Sequence, residues 1–180
     1  EEAVEVVKNN PLSFLKIDRA ETNFDASVST YAPEVYAKAK ELIESMIAEG
    51  QFVEDMDSCY YIYRLTMNGR AQSGIVACSS IDDYCNNIIM KHENTREEKE
   101  VDRIRHIDTT SCQTGPIFLA FRDVATITAI MKEEQAKAPL YCFTADDGIE
   151  HCVWKISDEQ NNTNLQAAFS MMDKIYIADG

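Results

Sequence analysis

The run Tyr60-Tyr61-Ile62-Tyr63-Arg64-Leu65-Thr66-Met67-Asn68-Gly69, followed by Arg70-Ala71-Gln72-Ser73-Gly74-Ile75-Val76, decides the fold class. Cys59–Met67 is rich in Tyr and Ile, and Tyr61, Tyr63, Leu65 and Met67 alternate along it. That period of two belongs to a strand. Asn68-Gly69 is the favoured two-residue hairpin turn, because both positions accept positive φ. Gln72–Ser80 is then the return strand. Tyr60, Tyr61 and Tyr63 read as sheet packing ahead of a binding wall.

Outward from the hairpin, helices and strands alternate. On the N-terminal side Glu1–Asn9 reads as a helix end with Pro11 at its exit, and Ser13–Ile17 as a short strand. Pro33–Glu49 is the clearest helix, with Val35, Ala39, Leu42 and Met46 at helical spacing, Pro33 in the first turn and Gly50 just past the end. On the C-terminal side the pattern predicts a short helix or turn at Ile81–Met90, a helix at Thr95–Asp108 and a strand at Pro116–Phe121. A helix at Val124–Lys137 and a strand at Leu140–Thr144 follow. Asp146-Asp147-Gly148 is a turn before the strand Ile149–Ile156, and a helix at Leu165–Met172 precedes the last strand, Lys174–Ala178. Glu159–Asn164 is polar enough to read as a disordered patch. The class is α+β, a mixed β-sheet with a hairpin and flanking helices.

A chain of 180 residues with 45% hydrophobic and 27% charged residues is long enough for one domain with its own core, or two small lobes. We divide it into an N-terminal lobe carrying the hairpin, residues 1–90, and a C-terminal portion, residues 91–180. The net charge of −14 opposes nucleic-acid backbones and anionic membranes, so neither is an expected partner; a small-molecule substrate is. Cys59, Cys78, Cys85, Cys112, Cys142 and Cys152 form no C-x-x-C pair and match no zinc spacing. They read as buried free thiols, with no metal ligated, in a cytoplasmic protein.

The chemistry-bearing block is Lys91-His92-Glu93-Asn94-Thr95-Arg96-Glu97-Glu98-Lys99-Glu100-Val101-Asp102-Arg103-Ile104-Arg105-His106. Thr95 with Glu98 has the form of a capping box. On the helix, Arg96, Lys99, Arg103 and His106 share one stripe at the edge of an apolar stripe of Val101, Ile104 and Ile107. A cation at the border of a core needs a partner, and a phosphate is one. The helix N-terminus adds donors and positive dipole. A carboxylate (Glu93) and an imidazole (His92) can serve as general bases, and Arg and Lys can stabilise a transferring phosphoryl group. The competing reading of the same charges is a solvated helix face. His151, in a strand beside Cys152 and Trp154, reads as structural.

At this block the chain resembles the domain-of-unknown-function-1015 family of bacterial and archaeal proteins. The matching residues are Lys91-His92-Glu93, Thr95-Arg96, Lys99-Glu100 and Asp102-Arg103. They are joined by Gly115-Pro116-Ile117-Phe118, by His151 with Trp154, and by Tyr176-Ile177-Ala178-Asp179-Gly180. Asn10–Leu15 and Gly74–Cys78 also fit. In that family the last strand continues into His-His-Arg and an N-terminal segment precedes this one, which implies an internal piece of a longer protein, inactive by itself. More distantly, the order of motifs is similar to the ParB/sulfiredoxin-like superfamily, closest to its ADP-dependent free-serine kinases, and that likeness covers the C-terminal half. It implies a nucleotide-dependent phosphotransferase acting on a small hydroxyl-containing metabolite, using ADP or ATP with Mg2+. Glu93 would be the base, with His92 beside it. Lys91, Thr95, Arg96, Lys99 and Arg103 would meet phosphate, and Asp179 and Gly180 would open the phosphate loop. The alternative is a non-catalytic nucleotide- or anion-binding regulatory module. Both readings expect the His-Glu turn and the terminal Asp-Gly to share one hollow.

Overall fold

The computed structural model describes residues 2–91 and 95–179. It is an α+β protein whose described residues form two compact units, one of residues 1–54 with 93–117, the other of residues 55–92 with 118–180.

The first unit is helical. It contains α1 (Glu2–Asn9), α2 (Leu15–Asp18), a 3-10 turn at Ala20–Asn23, and α3 (Pro33–Ala48). Its core is Ile17 and Ala20 against Val35, Ala39, Leu42, Ile43 and Met46 of α3, flanked by Phe24, Val28, Ala32 and Cys112. The helical stripe expected on α3 is therefore the face that builds this core. Pro33 occupies the first turn, and Gly50 follows the helix with φ +73°, a conformation open to glycine without steric cost. Ser13–Ile17, expected as a strand, is instead the entry to α2. A five-residue apolar run carries too little period to separate the two.

The second unit opens with the expected hairpin, β1 (Tyr60–Met67) and β2 (Arg70–Val76). Asn68 and Gly69 have φ of 53° and 77°, as a type I′ turn requires. α4 (Ile81–Cys85) and β3 (Ile89–Met90) follow. In chain order the next helix is α5 (Glu97–Thr110), which belongs to the first unit. The chain returns to the second unit with β4 (Phe118–Ala120), α6 (Ala125–Gln135), β5 (Tyr141–Thr144), β6 (Glu150–Ile156), α7 (Glu159–Ser170) and β7 (Ile175–Asp179).

The strands make two sheets. The larger is antiparallel, in the order β2-β1-β6-β5; the smaller is mixed, in the order β3-β7-β4, with β3 parallel and β4 antiparallel to β7. The core of the unit is Ile62, Cys152, Trp154 and Ile156 from the large sheet, packed against Ile127 and Ile130 of α6 and Leu165 of α7. Tyr63, Leu65 and Met67 point to the opposite, half-exposed face. There His151 stacks on Tyr63 and Phe143, with its Nδ1 2.7 Å from the Tyr63 hydroxyl. Alternation along β1 thus marks the two faces, but Ile62, not the tyrosine-leucine series, lies under the helices.

α7 begins six residues before the expected Leu165 and takes in the whole of the polar patch. Asp158 is its N-cap, accepting a 2.7 Å bond from the Asn161 N–H. Asn161 in turn donates to Glu134 at 2.8 Å, and both side chains are buried. A cap and one buried polar pair therefore order a stretch whose composition alone suggests solvent. Replacing Asp158 by Ala is expected to cost about 0.5–2 kcal/mol. Urea unfolding followed by far-ultraviolet circular dichroism checks this, and an unchanged midpoint would mean that the cap contributes nothing.

The cysteine reading needs correction. Cys142 and Cys152 are directly opposite in the β5–β6 register and are joined as a disulfide. Cys78 and Cys85 are exposed, and Cys59 and Cys112 are half-buried. The expectation of six buried thiols failed because β5 and β6 bring together two cysteines ten residues apart, a pairing no local motif announces. No described helix is long and apolar enough to cross a membrane.

Candidate functional site

α5 carries the charged block, but not as its sequence suggests. The helix starts at Glu97, with Arg96 as N-cap and no side-chain capping bond, so the Thr95–Glu98 box is not formed. At the other end Ser111 takes a left-handed conformation, φ 55°, and its N–H caps the Ile107 carbonyl. Val101, Ile104 and Ile107, expected to face the core, are 38%, 54% and 37% exposed. The buried residues of α5 are His106 and Thr110, one helical turn apart. On the charged side Asp102 is half-buried, while Lys99 and Arg103 stay exposed.

What makes this tolerable is a set of polar partners from α2 and α3. The Tyr36 hydroxyl on α3 donates to Asp102 Oδ1 at 2.9 Å. Arg103 reaches Asp18 of α2 at 3.1 Å with one guanidinium nitrogen and the second oxygen of Asp102 at 3.2 Å with another. Burial works against the Arg103 charge, but the Asp18 and Asp102 carboxylates together outweigh it and hold the guanidinium above its usual range. Burial, and then the bond to Asp102, push the Tyr36 phenol up as well. Arg19 is taken by Glu21 at 2.7 Å. These pairs are partly exposed, so they fix positions more than they stabilise the fold.

Between these elements lies a cavity of about 260 Å³. Lys99, Asp102, Arg103 and His106 of α5 line one side, with Asp18, Arg19 and Tyr36 among the residues opposite. Each of its three carboxylates, Asp18, Glu21 and Asp102, bonds one of its two guanidiniums, Arg103 or Arg19. The groups left over are the Lys99 ammonium, which has no ion pair or hydrogen bond among the described residues, and the His106 ring. His106 is 5% exposed, and neither ring nitrogen has a hydrogen-bond partner among the described residues. An unmet buried imidazole is costly, and a ligand acceptor in the cavity would meet its N–H.

The other expected site residues fall elsewhere. Thr95 and Arg96 are exposed ahead of α5. Lys91 belongs to the second unit, with its ammonium 4.4 Å above the Tyr84 ring. Asp179 ends β7 in the small sheet, opposite Phe118, and is exposed. His92, Glu93 and Gly180 lie outside the described residues. Sequence reasoning missed Asp18 and Tyr36 as partners of the block, since they come from other helices 85 and 66 residues away from the groups they bind. Asp102 was within reach, being three residues from Lys99 and four from His106 on one helical face.

The cavity carboxylates do not form a cradle for Mg2+. Both oxygens of Asp102 are engaged, Asp18 holds Arg103 and Glu21 holds Arg19. Among the described residues one grouping brings three metal-type ligand atoms within 4.8 Å of one another: Cys142, Glu150 and Cys152, in the second unit.

Fold and cavity together define an α+β protein with an ion-paired pocket built on one highly charged helix, α5. The chain belongs to the family described as protein of unknown function DUF1015, whose model matches residues 1–180. No curated protein and no solved structure matches it.

Proposed function

We propose that the protein is a nucleotide-dependent phosphotransferase acting on a small hydroxyl-bearing metabolite, and that the α5 cavity holds the phosphate-bearing end of that metabolite. The observation that carries the reading is the lining of one cavity by Lys99, Arg103 and an unpartnered, buried His106. Phosphoryl transfer asks little of a protein beyond positioning and electrostatic stabilisation. Lys99 supplies a point charge, Arg103 a planar donor held in place by two carboxylates, and His106 a directional N–H. The volume suits a small phosphorylated metabolite better than a whole nucleotide, since pockets for larger ligands run to roughly 300–1,000 Å³.

The remaining roles follow the ParB/sulfiredoxin-like likeness. That likeness gives Glu93 the role of base toward the hydroxyl, with His92 next to it in sequence, and assigns Lys91, Thr95 and Arg96 to phosphate. Asp179 and Gly180 begin the loop for the nucleotide phosphates. ADP or ATP arrives with its own Mg2+. The net charge of −14 favours a small-molecule ligand in the cytoplasm over nucleic acid or membrane.

A second reading is a regulatory module that binds an anion in the same cavity without chemistry. The internal pairing of both guanidiniums favours it, because cations already held by carboxylates have less charge left to stabilise a transferring phosphoryl group. Labelled ATP and ADP offered to the full-length protein, with and without Glu93→Gln, separate the two. Turnover that falls by at least about a hundredfold in the variant, with binding retained, is expected of a general base. Ligand binding with no turnover in either form would replace the enzyme by the module.

A further inference from the structure

In the large sheet, β1, β6 and β5 set Arg64, Cys152 and Cys142 in one row, through the registers Arg64↔Cys152 and Cys142↔Cys152. The two sulfurs of the disulfide live in different surroundings. Cys152 is fully buried among the core residues, whereas Cys142 is exposed on the edge strand. The Arg64 Nη2 is 3.6 Å from the Cys152 sulfur. Arg64 is held there by Glu150 at 3.2 Å and by the Trp154 ring, 4.8 Å from the guanidinium carbon to its centroid. Its Nε is buried with no acceptor among the described residues. A guanidinium so placed gains a partner when the neighbouring sulfur becomes a thiolate.

We infer that Cys142–Cys152 is an exchangeable disulfide, attacked at Cys142 by an external dithiol while Arg64 stabilises the departing Cys152 thiolate. In the first step a thiolate of the dithiol forms a bond to the Cys142 sulfur. The Cys142–Cys152 bond breaks, and its electron pair leaves on Cys152. In the second step the other thiol of the dithiol, losing its proton, attacks its partner sulfur and expels Cys142 as thiolate. The dithiol ends as a disulfide, oxidised by two electrons, and the protein ends with two reduced cysteines that take up the released protons. An external disulfide runs the sequence backwards. Access selects Cys142 as the attacked sulfur, and a stabilised leaving thiolate speeds the exchange.

The same atoms offer a metal two thiolates and the Glu150 carboxylate. A guanidinium already bound to that carboxylate and 3.6 Å from one sulfur opposes a divalent cation there, which is why exchange is the preferred reading.

The test uses the whole protein under native conditions. Glutathione is expected to form a mixed disulfide on Cys142, dithiothreitol to open the pair without denaturant, and oxidised glutathione to restore it, all followed by differential alkylation and peptide mass spectrometry. Arg64→Gln is expected to slow opening about tenfold, while Arg64→Lys keeps most of the rate. Where Arg64→Gln does not fold, the position of the glutathione adduct in the unaltered protein still decides. An adduct on Cys152, a pair that opens only in denaturant, a rate indifferent to Arg64→Gln in folded protein, or reduced thiols that hold one Zn2+ and resist reoxidation would each overturn the proposal.

Discussion

Trp154→Ala is expected to destabilise the second unit by about 3–5 kcal/mol. The indole is 4% exposed at the centre of the sheet-helix core, and its N–H donates to the Lys137 carbonyl at 3.0 Å, tying β6 to the end of α6. Truncation opens a cavity, strands that carbonyl and removes the ring on which Arg64 rests. Trp154→Phe keeps most of the packing and loses the hydrogen bond, so a smaller cost of about 1–3 kcal/mol is expected. This is the chain's single tryptophan, so unfolding must be followed by far-ultraviolet circular dichroism in place of indole fluorescence. A Trp154→Ala variant within 1 kcal/mol of the parent would mean that the core does not depend on this side chain.

His106→Leu is the second large effect, and it has opposite signs for stability and binding. The ring is buried with both nitrogens unpaired, so an apolar side chain of similar volume is expected to leave the fold unharmed or raise its stability by about 1 kcal/mol. Affinity for a phosphate-bearing ligand is expected to fall by at least about tenfold, from loss of a buried donor. Thermal unfolding with and without phosphate reads both quantities at once. A variant that is less stable without ligand would show that His106 supports the fold and not a site.

The hairpin and α3 were legible in the sequence because each carries its own local signal: a turn dipeptide with alternating neighbours, and an apolar stripe bounded by Pro33 and Gly50. α7 was legible only in its second half. The first half is polar, and its order comes from Asp158 and from the Asn161–Glu134 bond across to α6, which no window of sequence contains. On α5 the charges were visible but their direction was not. Val101, Ile104 and Ile107 make a plausible inward stripe by hydropathy. Tyr36 instead holds Asp102 half-buried, Asp18 pairs with Arg103, which stays exposed, and His106 is buried one turn on. Tertiary pairing decided which face was buried, and that is information held by other helices. The disulfide was hidden for a similar reason, since only the register of β5 on β6 brings Cys142 to Cys152.

The cavity bordered by Lys99, Arg103 and the buried His106 is the centre of the functional proposal. It is tested most directly by calorimetric titration of inorganic phosphate into the unaltered protein, Lys99→Ala and His106→Leu. Saturable one-site binding by the unaltered protein, weakened at least about tenfold in each variant, is the expected result. No saturable binding, or equal binding by all three, would contradict an anion pocket on α5.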